Sequence, residues 1–429
     1  MNQSQGEKSI DIKDQGQTPT TTGSVREILS RPGPIPIIEF VQTCIEEAYA
    51  LRASDIHIDP TEQDAVVRLR IDGVLQDKCT FPKNILSEVI SRIKVLSGLR
   101  TDEHQAAQDG RFRMQTGTND TKPIDIRVSI TPTYYGENAV LRLLADHSSN
   151  FTLEMLGFSP QDQEKIERAI AQPHGMILAT GPTGSGKTTS LYTLIKMLNK
   201  KEVSIITIED PIEYAIPGIT QIQINTRTNL TFAQGLRSIL RQDPNIIMVG
   251  EIRDTETAGI AINTALTGHL LLSTLHTNDA ATTLPRLLDM GIDAYLVAST
   301  INIAIGQRLV RKICPHCTEA HALTEAERHN LLRILPDRLK QNLKNIPNTF
   351  YKGKGCEACD RTGFSGRIGI YEVLVTSPRV REAILERKSS VVLKNIAIEE
   401  GMTTMFEDGL RKAVAGKTTL AEILRTISE

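Results

Sequence analysis

The sequence predicts an α/β fold, with a largely parallel sheet preceded by a smaller α+β domain. Three observations carry that prediction. From residue 176 onward, short apolar strands at 176–179, 204–208, 246–249 and 270–274 alternate with helical stretches. Buried strands in such alternation form a parallel sheet covered by helices on both faces, with binding groups at the strands' carboxyl ends. The first of these strands runs directly into Gly181-Pro182-Thr183-Gly184-Ser185-Gly186-Lys187-Thr188-Thr189, ahead of a helical pattern through Leu191, Leu194, Ile195 and Leu198. Before residue 150 the apolar period is two rather than continuous, and Asp72-Gly73 marks a hairpin turn.

Composition sets the outer bounds. The 429 residues are 40% hydrophobic and 23% charged, which excludes a disordered, collagen-like or coiled-coil chain. Lys+Arg is 49 against Asp+Glu at 51, so no general charge draws the chain to nucleic acid or anionic lipid. Trp is absent and aromatics are 4%, which disfavours base-stacking platforms. The N-terminus has no apolar leader core, and no run of 18 apolar residues offers a membrane span. The expectation is a soluble cytoplasmic chain able to dock on a membrane protein.

Taken in order, residues 1–33 are rich in Gln, Ser, Thr and Gly and read as a flexible tail. Ile37, Phe40, Val41, Cys44, Ile45 and Ala48 recur at three and four, predicting a helix over 37–51. Strand signals follow at 56–58, 66–71 and 74–75, then a helix at 82–97, then strands at 111–114, 124–130 and 139–144. Together these give an α+β domain over 34–150. Residues 152–157 read as a hinge into the core, 151–311. A cysteine-bearing region covers 312–370, and 371–429 reads as helical.

The glycine-rich run is GxxxxGK[ST] in its required strand–loop–helix setting. Glycines let backbone N–H groups turn inward around phosphate oxygens, and the helix N-terminus adds donors. Lys187 is expected to bridge the β- and γ-phosphates of ATP, and the Thr188 hydroxyl to ligate Mg²⁺. Hydrolysis further needs acidic groups at strand ends to hold the metal and position water. Two runs supply them: Ile208-Glu209-Asp210-Pro211-Ile212-Glu213, and Val249-Gly250-Glu251. Glu251 and the pair Glu209 and Asp210 compete for that role. His276, at the end of the fourth strand, is a candidate sensor of the γ-phosphate.

Cys314-Pro315-His316-Cys317 and Cys356-Glu357-Ala358-Cys359 form two CxxC pairs. Two such turns complete a tetrahedral, closed and therefore structural Zn²⁺ site. A disulfide pairing is disfavoured by the cytoplasmic reading. Cys44 and Cys79 read as core residues.

These segments together resemble the secretion ATPase superfamily, specifically the GspE/PilB-like motors of type II secretion and type IV pilus assembly. GPTGSGKTT, ITIEDPIEY, LRSILRQDPNIIMVGEIRD and TGHLLLSTLHTNDA carry the likeness, which extends over about 35–429. Upstream, RASDIHIDP, VRLRIDGVL, QDGRFR and RVSITPTYYGENAVLRLL resemble the family's N2 domain. The resemblance implies a PAS-like N2 domain and a RecA-like ATPase core with a small zinc-binding insert. It implies a homohexameric cytoplasmic motor that converts ATP hydrolysis into pilus or pseudopilus assembly. Such a motor would sit at the inner membrane through a polytopic platform protein and a recruiting subunit. By similarity, Arg127 and Arg142 would close over the phosphates, with Arg237 and Arg241 adding charge at the interface; Glu213 belongs to the same acidic box. Asn245 stands where the family often has Asp, and the family's N1 domain is expected to be missing. The alternatives are a retraction motor, disfavoured by the cysteine pairs, a nucleic-acid translocase, and an ATP-gated scaffold.

Overall fold

The computed structural model describes residues 24–115, 123–144, 151–334 and 349–428. The chain divides into two compact units, Met1–His147 and Ser148–Glu429. Most of the expected tail, residues 1–23, lies outside the described residues. Its last part is corrected. Val25–Ser30 is a helix (α1) with a full capping box, in which Ser24 accepts from the Glu27 N–H while the Glu27 carboxylate accepts from the Ser24 N–H. Val25 and Ile28 are buried against the first core, so this short segment has the apolar area the tail composition concealed.

In the first unit, helix α2 (Ile37–Ala50) is followed by β1 (Ala53–Pro60), β2 (Asp64–Ile71) and β3 (Val74–Pro82). Asp72 and Gly73 both adopt positive φ, +50° and +86°, the hairpin turn their sequence promises. Helix α3 (Leu86–Leu96) leads to β4 (Gln108–Met114), β5 (Ile124–Thr133) and β6 (Gly136–Leu144). The sheet order is β3-β2-β1-β6-β5-β4, and every neighbouring pair is antiparallel. One face carries Ile56, Ile58, Val67, Leu69, Ile126, Val128 and Leu141 into a core with α2 and α3. Lys94 of α3 is fully buried there, and its ammonium is held by Glu137 at 2.6 Å and by the Glu103 carbonyl at 2.5 Å.

In the second unit, α4 (Leu153–Leu156) and α5 (Pro160–Ile170) precede β7 (Gly175–Thr180) and α6 (Lys187–Leu198). Then come β8 (Ile205–Glu209), β9 (Thr220–Gln223), α7 (Phe232–Ile239), β10 (Ile246–Val249), α8 (Thr255–Leu266) and β11 (Leu270–Leu275). Helices α9 (Ala280–Asp289) and α10 (Ala294–Thr300) lead into a long strand, β12 (Ile301–Ile313). Side chains of the parallel strands alternate between two cores. Leu178, Ile206, Ile208 and Ile247 pack on α7 to α10; Ile177, Ala179, Ile205 and Met248 pack on α5 and α6.

The boundaries read from sequence at 312–370 and 371–429 cut through this sheet. After Ile313 come the short pair β13 (Thr318–Ala322) and β14 (Thr349–Gly353), with α11 (Glu325–Ile334) between them. Strand β15 (Phe364–Val375) then returns to pair with β12, giving the order β15-β12-β7-β11-β10-β8-β9 with only β15 antiparallel to its neighbour. Residues 369–374 are all buried, which is why this segment belongs to the core sheet and the cysteine region is an insertion within the β12–β15 hairpin. Helices Pro378–Leu385, Ser390–Glu399, Met405–Val414 and Leu420–Ser428 complete the described chain.

Candidate active site

The phosphate loop leaves the carboxyl end of β7. Gly181, Gly184 and Gly186 have φ of +147°, +79° and +88°, and at Gly181 an added Cβ would stand 2.5 Å from the Gln307 carbonyl oxygen. Both conformation and space therefore demand glycine there. Helix α6 starts at Lys187, with Gly186 as its cap. The Lys187 ammonium is buried and donates to the carbonyls of Gly181 at 2.8 Å and Pro182 at 3.0 Å. Burial lowers its pKa to about 8; the nearby Glu251 carboxylate works against that shift and the Arg308 guanidinium works with it. Thr188 and Thr189 follow in the first turn, both half-buried.

The neighbouring strands end beside this loop. Strand β10 pairs with β11, which pairs with β7, so Glu251 and His276 emerge at adjacent strand ends. Thr180 ties the ends of β7 and β11: its hydroxyl donates to the Thr277 carbonyl at 2.9 Å and accepts from the Thr277 N–H at 3.1 Å. His276 Nε2 donates to Glu251 Oε2 at 3.1 Å, and Arg253 pairs with Glu251 Oε1. The Glu251 side chain is 11% exposed, whereas Arg253 and His276 are 63% and 49% exposed. The carboxylate thus sits just inside a wet opening.

Glu209, its rival, has a different setting. It is buried at the end of β8, accepting from the Thr207 hydroxyl at 2.5 Å, from Gln221 Nε2 at 3.2 Å and from the Tyr192 hydroxyl. Burial and the Glu209 charge hold the Tyr192 phenol far above its usual range. Most of the carboxylate's acceptor positions are thereby used by neutral donors. Asp210 and Glu213 are exposed on the loop beyond, and the Glu213 N–H donates to the Tyr192 hydroxyl at 3.4 Å. Asn245 accepts from the Ser204 N–H at 2.8 Å, fastening the start of β8.

The arginines fall in two groups. Arg237, at the end of α7, pairs with Glu256 at 2.7 Å, and Arg241 donates to the Arg237 carbonyl and the Ser238 hydroxyl, both at 3.1 Å. Arg127 and Arg142 belong to the first unit, directly opposite one another on β5 and β6. The apolar neighbours of Arg142 in sequence imply that its charge needs a partner, with phosphate as a candidate. Strand β6 alternates: Leu141 and Leu143 point into the core, and Arg142 points the other way with its Nε 3.0 Å from Asp55.

The two CxxC turns converge. All four sulfurs lie within 4.8 Å of one another, with Cys314–Cys356 and Cys317–Cys359 at 3.9 Å and Cys356–Cys359 at 3.7 Å. A tetrahedral ion with bonds of about 2.3 Å to sulfur requires edges of about 3.8 Å, so the donor set fits a tetrathiolate metal. None of the four is in a disulfide. Burial works against ionisation at Cys359, but the N–H donors of Cys356 and Gly363 outweigh it and hold the thiol down at about 6. Cys44 is buried and Cys79 half-buried.

This arrangement has known counterparts. Residues 31–425 match the model of the family described as Type II/IV secretion system protein. The chain belongs to that family. It is 46% identical over 408 residues to the type IV pilus assembly ATPase PilB of Thermus thermophilus, covering 92% of this chain but 44% of that protein. It is 45% identical over 412 residues to the type II secretion system protein E of Xanthomonas campestris, covering 96% of this chain and 70% of the relative. Among solved structures, the pilus retraction motor PilT with bound ADP is 26% identical with a TM-score of 0.58, over 90% of this chain and 96% of that one. The ATPase DotB of Legionella pneumophila shares the fold at 22% identity and a TM-score of 0.66, over 93% and 97%.

Of the sequence-derived residues of the second unit, the loop, Lys187, Glu251 and His276 stand at neighbouring strand ends. Asp210 and Glu213, by contrast, are exposed beyond β8, and Arg237 and Arg241 are engaged at the end of α7. Three residues at the site escaped sequence reading, namely Arg253, Gln307 and Arg308. The last two sit on β12, whose apolar start shades into the mixed run Gly306-Gln307-Arg308. A strand of 13 residues was the missing signal. Among the described residues, no helix is long and apolar enough to cross a membrane.

Proposed function

We propose that this chain is the ATP-hydrolysing motor of type IV pilus or type II secretion pseudopilus assembly. It works as a cytoplasmic homohexamer against a polytopic inner-membrane platform protein and a recruiting subunit. The observation that carries the hydrolytic part is the placement of Glu251 within the electrostatic reach of Lys187, at the mouth of a phosphate loop. Names of relatives at 41–46% identity support the assembly role, and the PilT likeness supports retraction only secondarily.

In this reading the N–H groups of Gly184, Ser185, Gly186 and Lys187 bind the phosphates, and the Lys187 ammonium moves from its own loop's carbonyls to the β- and γ-oxygens. Glu251 orients the attacking water and takes up its proton; Arg253 and His276 hold the carboxylate until the nucleotide arrives. Glu209, already engaged, braces the site through Tyr192. Arg127 and Arg142, with Arg237 and Arg241, supply guanidinium charge for the phosphoryl group in flight. The Thr188 hydroxyl, with Glu251 through water, would hold Mg²⁺, a hard divalent cation that would offset the negative charge of the bound phosphates. Zn²⁺ is the ion that the four cysteines fit, as a brace for the β12–β15 insertion.

The test is ATP turnover by the full chain. Lys187→Ala is expected to lose nucleotide binding. Retention of tight ADP binding in that variant sinks the phosphate-loop assignment.

A further inference from the structure

A phosphate loop turns its N–H groups inward, so its carbonyls turn outward into protein, where each buried one needs a donor. Lys187 supplies the carbonyls of Gly181 and Pro182. The Ser185 carbonyl is supplied by Gln307, whose Nε2 donates to it at 2.7 Å. Gln307 stands on β12 one residue past Gly306, which pairs with Thr180. It is 1% exposed. Its own carbonyl closes on Gly181, and its Nε2 would stand 3.3 Å from a Cβ at Gly186. One residue therefore touches the loop at its start, near its end and at its cap.

The two clamps differ in what a nucleotide would do to them. Lys187 is taken from its carbonyls when phosphate oxygens claim its ammonium, whereas Gln307 lies behind the loop and has nothing to give up. Its presence also needs explaining, because a side chain there for packing alone would be apolar. Gln307 Oε1 is buried with no hydrogen-bond partner among the described residues, as is the Ser185 hydroxyl. An orphaned amide oxygen costs stability, and what the residue gains is the bond to Ser185.

We propose that Gln307 is a positioning residue of the nucleotide site: its amide holds the Ser185 carbonyl outward and so presets the loop's inward N–H groups for the diphosphate of a bound nucleotide. This rests on the reading of residues 181–189 as a nucleotide loop.

Calorimetric titration of the full chain with ADP, at pH 6 to 8.5, tests it. Gln307→Met keeps the volume and removes the donor; its Kd is expected to rise about tenfold with the number of sites unchanged. Gln307→Glu is expected to match that loss at pH 8 and to recover, relative to wild type, toward pH 6. A protonated carboxyl there donates as the amide does, and burial raises the pH at which it protonates. An unchanged Kd in the Met variant overturns the proposal. So does a loss of sites at constant Kd, which marks local misfolding, or a Glu variant that tracks the Met variant at every pH. A wild-type chain that binds no ADP overturns the nucleotide reading and this inference with it; variants that match a binding wild type overturn this inference alone.

Discussion

Strand β5 buries Ile124, Ile126, Val128 and Ile130 and turns Asp125, Arg127 and Ser129 the other way, whereas β7 is buried at every position from Gly175 to Thr180. The first belongs to an antiparallel sheet with helices α2 and α3 on one face. The second belongs to a mostly parallel sheet with a core on each face. A sheet whose strands alternate in this way has a polar face free for side chains such as the paired Arg142 and Arg127. A sheet covered on both sides has only its strand ends to offer, and the loop, Glu251 and His276 all stand there. The comparison predicts two classes of lesion. Strand-end changes should stop the chemistry in a folded protein, and face changes should weaken a contribution made from outside the nucleotide loop.

The largest expected effect is at a strand end. Glu251→Gln should cut ATP turnover about 10⁴-fold, the upper end of what a positioned base supplies, while ADP binding by calorimetry stays near wild type. Turnover at the wild-type rate in that variant would break the strand-end half of the comparison. Next is the face. Arg142→Ala should lower turnover about 10³-fold, the scale of an arginine that stabilises the transferring phosphoryl group. Its ADP affinity should hold, because the loop is untouched. If Arg142→Ala instead leaves the rate intact and only shifts the melting temperature, the Asp55–Arg142 pair is a surface ion pair and nothing more.

The cysteine insertion tests whether the second sheet tolerates damage away from its strand ends. Metal analysis should find one zinc per chain, and Cys356→Ser should abolish it and lower Tm by about 5 °C or more. ADP binding should survive, since the loop is anchored by β7 and by Gln307 rather than by the insertion. Zinc-free protein with wild-type Tm would remove the metal from the account.

Much of this was legible in the residues. The parallel strands at 246–249 and 270–274 fall within a residue of their observed limits because buried strands are unbroken apolar runs. The loop was legible because glycine spacing is dictated by positive φ. What stayed hidden depended on partners distant in sequence. Gln307 lies 122 residues from the Ser185 carbonyl it clamps, and Asp55 lies 87 from Arg142. The different settings of Glu209 and Glu251 were equally unreadable, since Tyr192, Thr207 and Gln221 surround the first carboxylate and not the second. Strand β15 was missed because its first half alternates exposed residues around Gly366 and its buried run itself opens on a glycine, Gly369.

The smallest effect is graded by pH and concerns Lys187 alone. Its folded-state pKa of about 8 lies below the ordinary lysine value of 10.5. For a group depressed in this way, burying the ammonium costs stability at pH below 8. That cost is relieved as pH rises from 8 towards 10.5, where the unfolded chain still holds the proton and the folded one does not. Nucleotide phosphates favour the ammonium, so binding above pH 8 should take up a proton. ADP affinity should fall by up to about tenfold per pH unit until the pKa of the complex is reached. Titrations at pH 7, 8 and 9 in buffers of different ionisation enthalpy read both quantities. Lys187→Arg, whose guanidinium stays charged throughout, should flatten the profile whatever its absolute affinity. An equally steep fall in the arginine variant would move the titrating group elsewhere and detach the strand-end loop from the lysine that gives it charge.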